Sequence, residues 1–133
     1  MNPHYPAVSA RAGRRCEYCR APEAIFNLQF EVEHIVPRSR GGSDGIENLA
    51  LACRSCNLLK SDFQSGNDEP TNSEVALFNP RVDHWLAHFA FSPHSGAISG
   101  LTATGRATVK RLGINDPLRV TARRLWAQLQ LFP

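Results

Sequence analysis

The sequence predicts an α+β fold braced by a metal clamp, and two observations carry that prediction. The first is cysteine spacing. Cys16 and Cys19 form one C-x-x-C pair and Cys53 and Cys56 a second, with residues 20–52 between them. Two such knuckles can hold four thiolates around one tetrahedral zinc ion, and a bound zinc adds folding free energy directly. The second observation is a change of hydrophobic period. Residues 28–35 alternate apolar and polar, residues 48–53 alternate again, and the chain from Arg54 to about Phe63 reads as a helix. Period-two runs are strands, so the coarse order is strand, loop, strand, helix.

Each element has its own signal. Residues 7–15 predict a short basic helix leading into the first knuckle, broken at Gly13. Residues 25–36 predict a strand that Pro37 ends. Gly41-Gly42-Ser43-Asp44-Gly45 is an open turn with several positions free to take positive φ. Residues 48–53 predict the second strand, and the following helix carries Asn57 and Lys60 one turn apart. Residues 64–74 are polar and turn-rich, and read as a loop or linker. Residues 85–91 and 97–101 flank Ser92-Pro93-His94-Ser95-Gly96 and predict a hairpin, although the first half also reads as a helix. Residues 104–112 predict a helix stopped at Gly113. Asn115 or Asp116 can cap a final helix from Pro117, a favoured first position. Its apolar set Leu118, Ala122, Leu125, Trp126 and Leu129 falls at helical spacing and reads as a packing face, with Arg119, Arg123 and Arg124 between. The expected division is a core over residues 1–66 and a C-terminal extension over residues 67–133 of a hairpin and helices, packed as one unit.

At 133 residues and 42% hydrophobic content, the chain has the size and composition of one globular domain. No apolar run reaches the roughly 18 residues of a membrane helix. The first residues show no secretion signal, so no membrane partner and a cytoplasmic location are expected. In that setting paired C-x-x-C motifs favour metal over disulfides. The formal charge is only +3, but the cations are clustered. Arg11, Arg14 and Arg15 precede the first knuckle, Arg38 and Arg40 follow the histidine loop, and Arg54 and Lys60 surround the second knuckle. Cations grouped beside a candidate site point to phosphate. Arg15, Arg38, Arg40, Arg54 and Lys60 are therefore the candidate nucleic-acid contacts.

The stretch Glu33-His34-Ile35-Val36-Pro37 carries the chemistry. Phosphodiester hydrolysis needs a base for water and a cation to neutralise charge on the phosphate. His34 suits the base. Glu33 and Asn57 offer the oxygen donors that Mg²⁺ or Mn²⁺ prefers, and Glu31 shares the Glu33 face. Neighbours 33 and 34 point to opposite faces of a strand, which suits attack on one side of phosphorus with a cation on the other. Asn48 is suited to pinning the loop that presents His34. Other readings stand beside these. His34 can be a core histidine, Glu33 a surface ion-pair partner, and Asn57 a helix cap. His84 and His88 lack a third ligand and read as packing or surface residues. The rival for the whole chain is a zinc-ribbon module that binds nucleic acid without cutting it. It has no use for Glu33, His34, Asn48 and Asn57 together.

Glu-His-Ile-Val-Pro, Gly-Gly, Asn-Leu and Cys-x-x-Cys-Asn-x-x-Lys, in that order over residues 14–62, resemble the HNH endonuclease family. The resemblance implies a ββα-metal core with a four-cysteine zinc clamp, and a metal-dependent nuclease acting on DNA, with RNA also open. It implies His34 as general base, Asn48 as the structural asparagine, and Glu33 and Asn57 on the side of a catalytic Mg²⁺ or Mn²⁺. Cys16, Cys19, Cys53 and Cys56 match the zinc clamp of the subset that has one. The tail from about Phe78 resembles the extension of small stand-alone members.

Overall fold

Pro6 fixes the first turn of α1 (Tyr5–Arg11), the opening element of this computed structural model, which describes residues 2–133. The helix lies a few residues earlier than expected and stops before Gly13, whose φ of +64° turns the chain into the first knuckle. Two antiparallel strands follow, β1 (Glu31–His34) and β2 (Leu49–Ala52), in the register Glu31–Ala52, Val32–Leu51, Glu33–Ala50, His34–Leu49. Then comes α2 (Arg54–Lys60). This is the expected ββα order. The first strand is shorter than its alternation suggested, because residues Glu23–Phe26 form a 3-10 turn and Asn27 takes positive φ.

All four residues of β2 are buried. One face and one edge are covered by neighbours that lie far away in the sequence. Helix α1 packs on the strand. The first knuckle pairs with it, Glu17 N–H donating to Leu51 O at 2.8 Å and Leu51 N–H to the Glu17 carboxylate at 2.9 Å.

Residues 64–74, expected as a loop, form a hairpin of β3 (Ser65–Asp68) and β4 (Ser73–Ala76). No apolar alternation announces it because an ion pair holds it. Asp68 is inaccessible to solvent, accepts from Arg106 at 2.8 and 3.0 Å and from Thr71 at 2.7 Å. Arg106 belongs to α4 (Ala103–Arg111), which packs on β3 and is capped by the Thr102 hydroxyl. Between these elements lie α3 (Trp85–His88) and the hairpin β5 (Phe89–Phe91) and β6 (Ile98–Gly100), so residues 85–91 are helix first and strand second.

The last helix, α5 (Pro117–Gln128), corrects the expected packing face in part: Trp126 packs against the core, but the leucines of the set do not. Leu118 is 85% exposed, and Leu125 and Leu129 are exposed too, while Arg123 is buried. Arg123 donates to Gly96 O, Ile114 O and the Asn115 side chain at 2.8, 2.6 and 3.0 Å. The Asn115 side chain bridges to the Ile98 backbone, and neither it nor Asp116 caps the helix with its side chain. Helical spacing identifies a stripe but not which stripe a neighbour covers. One buried cluster runs from Val8 through Tyr18, β2, Phe78, Trp85 and Phe89 to Phe132, and Trp85 Nε1–H donates to Tyr18 O at 2.8 Å. Among the described residues no helix is long and apolar enough to cross a membrane.

Candidate active site and metal centre

The four cysteines converge. Cys16, Cys19, Cys53 and Cys56 are all buried, with their sulfurs within 4.8 Å of one another. Cys19 and Cys53 Sγ stand 3.7 Å apart. A disulfide needs about 2.05 Å, whereas tetrahedral metal–sulfur bonds of about 2.3 Å put sulfurs about 3.8 Å apart. The set therefore fits one zinc ion and not a pair of disulfides. Each knuckle turns an N–H onto its own sulfur, Cys19 to Cys16 and Cys56 to Cys53, both at 3.5 Å. Burial pushes the Cys16 and Cys56 thiols up, while hydrogen bonds from neighbouring cysteines pull Cys19 and Cys53 down. Arg119, from α5, donates from Nη2 to Cys56 Sγ at 2.9 Å, with Cys53 Sγ at 3.9 Å, and from Nη1 to Leu112 O at 2.5 Å. No local pattern signals this contact, since arginines between apolar helix positions read as solvated.

Alternation along β1 sends Glu33 and His34 to opposite faces, as expected. Glu33 is 6% exposed. Its carboxylate accepts from Tyr18 Oη and from Lys60 Nζ, the latter at 3.1 Å. Burial raises Glu33 above the usual carboxylate range while Lys60 and Tyr18 pull it down. Lys60 is buried as well and also donates to His34 O and Ile35 O at 3.3 and 3.0 Å. These contacts fill all three ammonium donors. Two expectations are corrected here. Lys60 is not a surface phosphate contact, because its charge is held inside by three acceptors. Glu33 is not open to a catalytic cation on the surface, because its carboxylate is buried against Tyr18 and Lys60. The pair instead ties β1 to α2 at the point where His34 emerges.

His34 lies on the other face, its side chain 18% exposed. Its Nε2 meets Asp44 Oδ1 at 2.8 Å, and Arg38 Nε donates to the same oxygen at 2.6 Å. Hydrogen bonds from His34 and then Arg38 hold the Asp44 carboxyl below its ordinary range. His34 Nδ1 has no partner among the described residues. Asp44 was legible only as a turn residue, since Ser-Asp-Gly is ordinary turn chemistry.

The loop between the strands is built by Asn48. Its amide donates to Val36 O and Ser43 O at 3.0 and 2.8 Å, and its oxygen accepts from Val36 N–H at 2.9 Å. Gly42 passes so close that a Cβ there would fall 1.7 Å from Val36 O. Asn57 is half-buried, one turn before Lys60 on α2, and its side chain makes no hydrogen bond among the described residues. Glu33 and Asn57 thus do not present the expected two-ligand cation site, since Glu33 is buried in its pair with Lys60 while Asn57 is half-buried and unpaired.

Of the remaining arginines, Arg38 and Arg40 are exposed at the loop, Arg40 Nε donating to Asp62 O at 2.8 Å, and Arg54 is exposed on α2 without a partner among the described residues. Arg15 is half-buried and donates to Arg20 O and Leu131 O at 3.0 and 3.3 Å. His84 precedes α3, and His88 Nδ1 meets Thr102 Oγ1 at 2.6 Å, so the two do not pair as ligands.

Comparison with known proteins bears on this geometry. Neither the curated proteins nor the solved structures gave a match. Residues 16–63 match the model of the HNH endonuclease family. That span starts at the first cysteine of the cluster, takes in the β1–β2 hairpin with its Asn48-pinned loop, and ends just beyond α2. Residues 16–63 are therefore an HNH-family domain, carried on a chain whose four cysteines close into one buried cluster.

Proposed function

We propose that this chain is an endonuclease that hydrolyses phosphodiester bonds in DNA, with His34 as the general base and a structural zinc ion in the cysteine cluster. The observation that carries the reading is His34 itself: inside the HNH-family span, it is a partly exposed imidazole with one ring nitrogen engaged and the other unpartnered among the described residues. In this reading Nδ1 accepts a proton from water, the resulting hydroxide oxygen bonds to phosphorus, and the phosphorus–oxygen bond on the opposite side breaks. The departing oxygen then takes up a proton from solvent. Arg38, Arg40 and Arg54 supply exposed positive charge for the DNA backbone. A divalent cation, Mg²⁺ or Mn²⁺, would neutralise charge on the phosphate. Asn57 would offer it one oxygen donor, with water and the DNA phosphate supplying others.

The test is supercoiled and single-stranded DNA, and RNA, incubated with the purified chain and Mg²⁺ or Mn²⁺, with and without chelator. Cleavage that needs the cation and is lost in His34→Ala supports the reading. Retained DNA binding with no cleavage under any cation would make the chain a non-catalytic zinc-ribbon module instead.

A further inference from the structure

We propose that Asp44 is the positioning residue of His34: it accepts the Nε2 proton and so leaves Nδ1 as the nitrogen that faces water. This rests on the reading of His34 as the base. A neutral imidazole carries one ring proton, and which nitrogen keeps it follows from the hydrogen bond the other groups offer. Here an anionic acceptor sits 2.8 Å from Nε2 and nothing among the described residues meets Nδ1. The acceptor keeps its charge, because Arg38 donates to the same oxygen at 2.6 Å.

An exposed contact of this kind ordinarily contributes little, since two side chains must be ordered to make it. In this chain the ordering is already done by the loop. Asn48 holds Ser43 O at 2.8 Å, Gly45 N–H donates to the Ser43 hydroxyl at 2.8 Å, and that hydroxyl donates to Glu47 at 2.9 Å. Asp44 lies between these anchored neighbours. On the other side, Lys60 fixes the His34 and Ile35 carbonyls. Both partners thus start from fixed backbone, and one hydrogen bond between them can select a tautomer. Asn48 then acts on the base through Asp44 as well as through the backbone of Val36.

Two measurements on the full chain test this. The first reads the ring nitrogens of His34 by nitrogen-detected NMR above the imidazole titration range, with His34→Gln identifying the signal. The wild type is expected to carry its proton on Nε2 and Asp44→Ala to show a mixture of the two tautomers. A wild-type proton on Nδ1, or an Asp44→Ala spectrum identical to the wild type, overturns the proposal, and this holds whether or not the chain cuts DNA. The second reads cleavage. Asp44→Ala is expected to lower kcat roughly tenfold, less than the loss of the base itself, with KM changed by less than about twofold. Asp44→Asn, which keeps an acceptor oxygen, should recover most of that loss. An unchanged kcat in Asp44→Ala, or a loss confined to KM, overturns the positioning role. A wild type that cuts nothing removes the nuclease reading, while the nitrogen spectrum still decides what Asp44 does to His34.

Discussion

Arg119 reaches from the last helix to within 2.9 Å of Cys56 Sγ, so the C-terminal extension touches the cysteine cluster of the HNH-family domain directly. With zinc bound as proposed, four thiolates around one divalent ion carry an excess of two negative charges, and a buried guanidinium would offset part of that excess. The contact spans 63 residues of sequence.

Arg119→Ala should therefore hold zinc less firmly. Groups that donate to metal ligands typically change metal affinity by roughly tenfold to a hundredfold. Zinc transfer to a colorimetric chelator should be faster in Arg119→Ala and intermediate in Arg119→Lys. Arg124→Ala, at an exposed position on the same helix, should match the wild type. Equal transfer rates in all four proteins would show that the contact does nothing for the metal.

The buried pair Glu33 and Lys60 gives a stability prediction. Lys60→Ala leaves a carboxylate buried without its cation, a loss that typically costs roughly 3–5 kcal/mol. Lys60→Met combined with Glu33→Gln removes both charges and keeps similar volume, so it should recover much of the loss. Chemical denaturation of the single and double variants reads this directly. Lys60→Ala should also leave the salt dependence of DNA binding unchanged, because the ammonium does not face solvent.

Acid should act on the β3–β4 hairpin through Asp68. Arg106 and then Thr71 hold its carboxyl down to about 2, below the ordinary aspartate value near 3.9. A depressed carboxylate contributes stability that is complete above the unfolded value and is lost as pH falls toward the folded one. The window is therefore between about pH 4 and pH 2. Asp68→Asn should flatten stability against pH in that window, as read by thermal unfolding across the series. An unaltered acid limb would remove Asp68 from the account.

His34→Ala should lower cleavage by roughly two to four orders of magnitude. Zinc content and DNA affinity should stay close to wild type, because His34 is not among the clustered cysteines and, in the proposed reading, the exposed arginines supply the phosphate contacts. Plasmid cleavage, metal analysis and filter binding on one preparation check all three.

Gly42→Ala tests the loop. Its Cβ would fall 1.7 Å from a backbone oxygen that no side-chain rotation can move, so the chain between Val36 and Asn48 must shift. Cleavage should fall, whereas Gly41→Ala, with nothing within 4 Å of its Cβ, meets only the strain of a φ of +83°. The comparison of the two variants in a cleavage assay separates steric loss from backbone strain.

The local patterns of this sequence determined much of the site. Paired C-x-x-C motifs, alternation on either side of a glycine-rich turn, and a helix start after Cys53 are all short-range signals. Each survives because the elements they describe are short and bonded to their neighbours. Asn48 was legible as the loop's anchor because an amide that can both donate and accept suits that task. The tertiary structure decided which charges are inside. Glu33 and Lys60 read as a cation ligand and a phosphate contact, yet both are buried. The residues that cover them, Tyr18 and the Ile35 backbone among them, come together only when the hairpin closes against α2. The same holds for Arg119, Arg123 and Asp68, whose partners lie up to 66, 27 and 38 residues away. Charge in a sequence says what a side chain can pair with. Only the folded chain brings the partner within reach, because desolvation and pairing depend on distances that no local period encodes.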